Sequence, residues 1–224
     1  MMMFAEYVLK FYKSLDLSQH KLPKDVEVLN PYQDKTAIDL TQKFFTKFYS
    51  DNNPRRIIIG INPGRFGGGM TGIPFTDPIR LAKICGIEND IPKKPELSSD
   101  FIYQMIEAYG GTEKFYGKYF ISSVSPLGFT KDGKNLNYYD IKELQLALED
   151  FIIASIRKQL TFGISTDIAF CLGEGQNYKF LQALNKEHKF FGKIVPLPHP
   201  RFIMQYRRKY LGEFIERYLK ELNQ

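Results

Sequence analysis

Four short apolar runs, each ending in a polar turn rich in glycine or proline, limit what this chain can fold into. Residues 56–61 run into Asn62-Pro63-Gly64, and 119–124 into Ser125-Pro126-Leu127-Gly128. Residues 167–172 run into Gly173-Glu174-Gly175, and 193–197 into Pro198-His199-Pro200-Arg201. Runs this short, rich in β-branched residues and bounded by turn formers, predict strands. Apolar residues at helical spacing lie around them. Phe4, Val8, Phe11, Tyr12 and Leu15 mark one helix, and Ile38, Phe44, Phe45 and Phe48 another. Asp77-Pro78 supplies an N-cap and first-turn proline for a helix through Cys85, stopped by Gly86. Further helices are predicted over 99–108, from Ile141 to Ile156, over 177–184, and from Tyr210 to Tyr218.

Strands alternating with helices predict an α/β fold: a three-layer α/β/α sandwich around a central, mainly four-stranded parallel sheet. In open parallel sheets the turns after the strands gather at one edge, where ligands bind at the switch point of strand order. The unusual residues of the four turns are therefore expected in one crevice.

With 224 residues, 43% of them hydrophobic, the expectation is a single domain over residues 1–224 with a full core. No apolar run is long enough to span a bilayer. The start, Met1-Met2-Met3-Phe4-Ala5-Glu6-Tyr7, has an acid where a signal peptide carries positive charge, so a cytoplasmic protein is expected. Two cysteines (Cys85, Cys171) and three histidines (His20, His188, His199) show no metal-ligand spacing, and neither a metal nor a cofactor is expected. A net charge of +6 fits a polyanionic partner without establishing one.

Gly67-Gly68-Gly69-Met70-Thr71-Gly72 matches the dinucleotide pattern G-x-G-x-x-G in form only. Five residues separate it from the strand, and Pro74 and Pro78 stand where the helix should run, so a nicotinamide or flavin site is rejected. No Gly-Lys-Ser/Thr follows, so it is not a P-loop either. A flexible surface loop and a bare backbone open to close ligand approach both remain.

The stretch Gly60-Ile61-Asn62-Pro63-Gly64-Arg65-Phe66-Gly67-Gly68-Gly69-Met70-Thr71-Gly72-Ile73-Pro74-Phe75 resembles the first motif of the single-strand-selective monofunctional uracil-DNA glycosylases, the SMUG family. The resemblance continues, in order, through Val28-Leu29-Asn30-Pro31, Ser125-Pro126-Leu127-Gly128-Phe129, Gly133-Lys134-Asn135-Leu136, Gly173-Glu174-Gly175 and His199-Pro200-Arg201. It implies the uracil-DNA glycosylase fold, DNA as partner, no cofactor, a monomer, and a damaged nucleotide flipped into a pocket. Cleavage of the N-glycosidic bond leaves positive charge on the sugar and negative charge on the base. The enzyme must aim a water at the sugar and donate a hydrogen bond to the leaving base.

By resemblance, Asn62 positions the water and His199 faces the base carbonyl; as bare residues they read as a turn cap and a structural histidine. Phe75 stacks on the flipped base, although an aromatic after Pro74 also suits the core. Gly64 and Met70 contact the base. Arg201 or Phe202 is the wedge entering the DNA stack, with Arg207 and Arg208 on phosphates. The same basic stretch also reads as the amphipathic start of the last helix. Three positions depart from the family: Ser123 where an asparagine reads the base edge, Arg65 where proline is usual, and no Ser-Pro after His199-Pro200. A hydroxyl reads a base less fully than a carboxamide. The leading expectation is thus a monofunctional uracil glycosylase, with two alternatives: a glycosylase for another deaminated or oxidised base, and a DNA-binding member of the fold that has lost cleavage.

Overall fold

The computed structural model describes residues 2–224. Four parallel strands form the main sheet: β2 (Arg55–Gly60), β3 (Tyr119–Ser123), β6 (Ile164–Leu172) and β7 (Lys193–Leu197), in the order β3-β2-β6-β7. These are the four strands predicted, with β6 three residues longer at its start. β2 is central, and Ile57, Ile58 and Ile59 are all buried because both of its faces are covered. Pro196 cannot donate to a sheet ladder, and it lies on β7 at the sheet edge, where that loss is tolerated.

Ten α-helices occur among the described residues. Those expected from periodicity are α1 (Phe4–Lys13), α2 (Lys35–Tyr49), α4 (Pro78–Lys83), α5 (Leu97–Tyr109), α7 (Lys142–Leu160), α8 (Gln176–His188) and α10 (Leu211–Leu222). Asp77 caps α4 as predicted, its carboxylate accepting from the N–H groups of Ile79 and Arg80 at 3.0 and 2.8 Å. Neighbouring residues on β3 identify the layers. Phe120 packs edge-on against Phe4 of α1, while Tyr119 meets Tyr109 of α5. Adjacent strand residues point to opposite faces, so α1 and α5 cover opposite sides of the sheet.

The sequence did not reveal a second, antiparallel sheet of three short strands, β1 (Val26–Leu29), β4 (Gly128–Lys131) and β5 (Lys134–Leu136), ordered β1-β4-β5. Three short helices also went unforeseen: α3 (Gly68–Thr71), α6 (Thr112–Tyr116) and α9 (Pro200–Tyr206). The basic stretch after His199 is therefore not the start of the last helix. It is a separate helix followed by a 3-10 turn, Arg208–Tyr210.

The chain passes from β2 to β3 on one side, then returns across β2 to β6 on the other. The switch point lies beyond the C-terminal ends of β2 and β6, where Asn62 follows the first of these strands.

Candidate active site

A cavity of about 490 Å³ opens at this edge, within the range of about 300–1,000 Å³ usual for small-molecule sites. Asn62, Gly64, Phe75, Ser123, His199, Arg201 and Phe202 all line it. The turns after β2 and β7 and the end of β3 thus converge as expected, whereas Ser125-Pro126-Leu127-Gly128 and the Gly173-Glu174-Gly175 turn after β6 do not line the cavity.

The turn after β2 is held on three sides. Val124 and Ser125, continuing β3, donate their N–H groups to the carbonyls of Gly60 (2.9 Å) and Ile61 (3.1 Å). β4 presses on Pro63 so closely that a Cβ on Gly128 would lie 2.3 Å from the Pro63 carbonyl oxygen. The Asn62 carboxamide is locked by the segment after β5. Its Oδ1 accepts from the Tyr138 N–H at 3.0 Å, and its Nδ2 donates to the carbonyls of Leu136 (3.1 Å) and Pro63 (3.2 Å). An amide oxygen accepts two hydrogen bonds, so one lone pair of Oδ1 stays available.

His199 caps α9. Its Nδ1 accepts from the Arg201 N–H at 3.2 Å, and Pro200 begins the helix. Burial, and after it the nearby Arg201 charge, push the imidazole pKa down to about 4. The ring is neutral at pH 7. Because Nδ1 is an acceptor, its single proton sits on Nε2.

Phe75 sits at φ +53°, a left-handed conformation uncommon for a bulky residue and typical of functional sites. Around it, Thr71 donates its hydroxyl to the Thr76 carbonyl (2.7 Å) and accepts from the Ile73 N–H (3.2 Å). The Thr76 and Tyr103 hydroxyls pair at 2.9 Å. These bonds hold the ring 6.1 Å from that of His199, tilted by 50°. Ser123 ends β3 and lines the cavity; the residue is largely buried, and its hydroxyl makes no hydrogen bond among the described residues.

The glycine run is helical rather than a loop, and its Gly68 lines the cavity. It forms the single turn α3, with Gly67 and Gly72 at positive φ. Gly69 lies so close to the Gly64 carbonyl that a Cβ there would sit 1.9 Å from its oxygen. The absent side chains serve the protein's own packing here. Met70, two residues after Gly68, is not among the lining residues.

Arg201 and Phe202 are exposed at the mouth, Phe202 by 44%. Arg207 and Arg208 lie outside the cavity on the surface, with the Arg207 guanidinium 5.6 Å above the Phe202 ring. Asn135, from the Gly133-Lys134-Asn135-Leu136 motif, also lines the cavity, together with Tyr139 and Glu96, which no motif marked. Asn135 accepts from the Arg65 N–H at 2.9 Å and comes from the small second sheet. Asp132-Gly133, the turn joining β4 to β5, was the available signal for that hairpin. Among the described residues no three His, Cys, Asp or Glu side chains gather as metal ligands, and no helix is long and apolar enough to cross a membrane.

Residues 46–223 match the model of the uracil DNA glycosylase superfamily. The chain is similar to the crystal structure of wild-type Pedobacter heparinus SMUG2, with 48% identity and a TM-score of 0.97, over 100% of this chain and 98% of that one. No curated protein matches the chain. The resemblance read from the motifs and the predicted fold agree with both matches. The chain belongs to the uracil DNA glycosylase superfamily and is an N-glycosyl hydrolase of the uracil-DNA glycosylase type.

Proposed function

We propose that this enzyme hydrolyses the N-glycosidic bond of uracil in DNA, with the nucleotide turned out of the stack into the cavity shared by Asn62 and His199. The free lone pair of Asn62 Oδ1 orients a water toward C1′ of the sugar. As the C–N bond breaks, its electron pair leaves with the base. The water oxygen bonds to C1′ and gives its proton to solvent, producing an abasic site and free base. His199 keeps its proton and donates a hydrogen bond from Nε2 to the base carbonyl where negative charge gathers. One such donor contributes about 3 kcal/mol, a factor of roughly 10²–10³. Phe75 offers its ring to the flipped base, Gly64 backs it, and Ser123 offers one hydroxyl. Arg201 and Phe202 meet the DNA beside the gap left by the flipped nucleotide, with Arg207 and Arg208 on phosphates.

The observation that carries this proposal is the tautomer of His199. The backbone N–H on Nδ1 leaves a neutral donor on Nε2, in the same cavity as a fixed carboxamide. The test is a uracil-containing oligonucleotide treated with enzyme and then alkali. Strand breaks are expected with wild type and at least about 100-fold more slowly with His199→Ala. Equal rates for wild type, Asn62→Ala and His199→Ala would overturn the roles.

The unpartnered Ser123 hydroxyl favours a second reading in which the excised base is a deaminated purine or oxidised pyrimidine. A panel of lesions decides between them. Release of uracil well ahead of every other base would remove the second.

A further inference from the structure

The carboxamide that is to orient water does not hold itself in place. Its oxygen takes the Tyr138 N–H, and its nitrogen grips the carbonyl of Leu136, where β5 ends and the chain leaves the small sheet. That segment needs an anchor. The Tyr138 phenol provides one, donating to Asn177 Oδ1 at 2.9 Å. Asn177, at the start of α8, donates from Nδ2 to the carbonyls of Leu172 (3.0 Å) and Gly60 (3.3 Å), the last residues of β6 and β2. Gly60 lies two residues before Asn62, so the chain of contacts closes into a ring across the switch point.

Both side chains are almost wholly buried, Tyr138 at 0% and Asn177 at 1% exposure. Polar groups at such depth are retained only where they are bonded. Here the bonds tie Tyr138 and the Gly60 carbonyl, which flank the Asn62 carboxamide, to each other and to the end of β6, where Asn177 Nδ2 also meets the Leu172 carbonyl and the Cys171 sulfur. Resting on the assignment of Asn62 to the attacking water, we propose that Tyr138 and Asn177 are positioning residues, which hold the Asn62 carboxamide with its free lone pair toward the flipped sugar. Neither touches substrate. Their effect is on geometry alone, where an error of about 1 Å costs on the order of 10²-fold in rate.

Tyr138→Phe removes the phenol oxygen and keeps the ring packing against Tyr139 and Phe180. Single-turnover base release from a uracil oligonucleotide at saturating enzyme should fall about 10- to 100-fold, with DNA affinity unchanged. In an Asn62→Ala background the same substitution should slow release less than about twofold, because residues acting as a unit are not additive. An equal loss in both backgrounds, or no loss in the wild-type background, would overturn the proposal. A wild type that releases no base from uracil DNA would instead strike at the assignment of Asn62. The wild type gives a second measurement, needed if Tyr138→Phe does not fold. By NMR its Asn62 side-chain amide protons should exchange slowly with solvent, and exchange at the rate of a free asparagine would defeat the relay.

Discussion

The ring of Phe75 rests on the backbone of Gly60: a Cβ added there would lie 2.7 Å from two carbons of the ring. The stacking surface of the pocket is thus seated on the end of the central strand. Gly60→Ala should push the ring off that seat and slow base release by about 10- to 100-fold. In a Phe75→Leu background, where the ring is already gone, the same change should cost less than about threefold. Single-turnover rates for the four proteins check this, and an equal penalty in both backgrounds would place the damage elsewhere.

His199 sets the response to pH. With its pKa lowered from 6.5 to about 4, the ring is neutral throughout the neutral range, so it should add no inflection to the base-release rate between about pH 6 and 8. The unfolded chain binds a proton at this residue below pH 6.5, whereas the folded chain does so only near 4. Stability therefore falls with falling pH across that window. Denaturant unfolding at several pH values should show a shallower acid loss for His199→Gln. Titration of the ring by NMR near its ordinary value would contradict this account.

Arg55 tests stability apart from chemistry. Its guanidinium is 0% exposed, lies 4.8 and 4.7 Å from the ring centres of Phe4 and Tyr49, and pairs with Asp51 through two contacts of 2.9 Å. Asp51→Ala takes the counter-charge from that buried cation; because the Asp51 side chain is 38% exposed, the cost should fall below the about 3–5 kcal/mol of a wholly buried pair. Denaturant unfolding should reveal the loss. Arg55 begins β2, and the cavity lies beyond the strand's other end, so base release well below the melting temperature should match wild type.

Arg207 and Arg208 lie outside the cavity, so their contribution should be to DNA affinity. Each change to glutamine should reduce the slope of log affinity against log salt by about 0.7–0.9, the value of one lost phosphate contact. The single-turnover rate at saturation should be unaltered. A change in that rate with no change in slope would move these residues into the chemistry.

The parallel sheet was legible because its strands are continuous apolar runs buried on both faces, and because each ends in a turn of unmistakable composition. That rule also brought Asn62, Ser123 and His199 to one edge. The second sheet was less legible. β1 leaves Glu27 exposed, β5 has three residues, and neither carries an apolar period. Only Asp132-Gly133, with φ of +50° and +67°, marked the hairpin. The turn α3 was not legible because helix propensity gives no warning of a turn built from glycines. The grip on Asn62 was hidden for another reason: it comes from the backbone of Leu136 and Tyr138, and main-chain groups carry no residue signature.

β7 is joined to the sheet through β6 alone. Asn62, Phe75 and Ser123 leave the ribosome long before His199, so during synthesis the wall bearing the imidazole arrives last. On the role proposed for His199, a nascent chain that has paired β2, β3 and β6 still lacks the group that would receive the electrons of a departing base. The same order applies to a finished molecule that opens locally. Peeling one edge strand should silence the hydrolase while the rest of the sheet stays intact, and re-docking that strand should restore it.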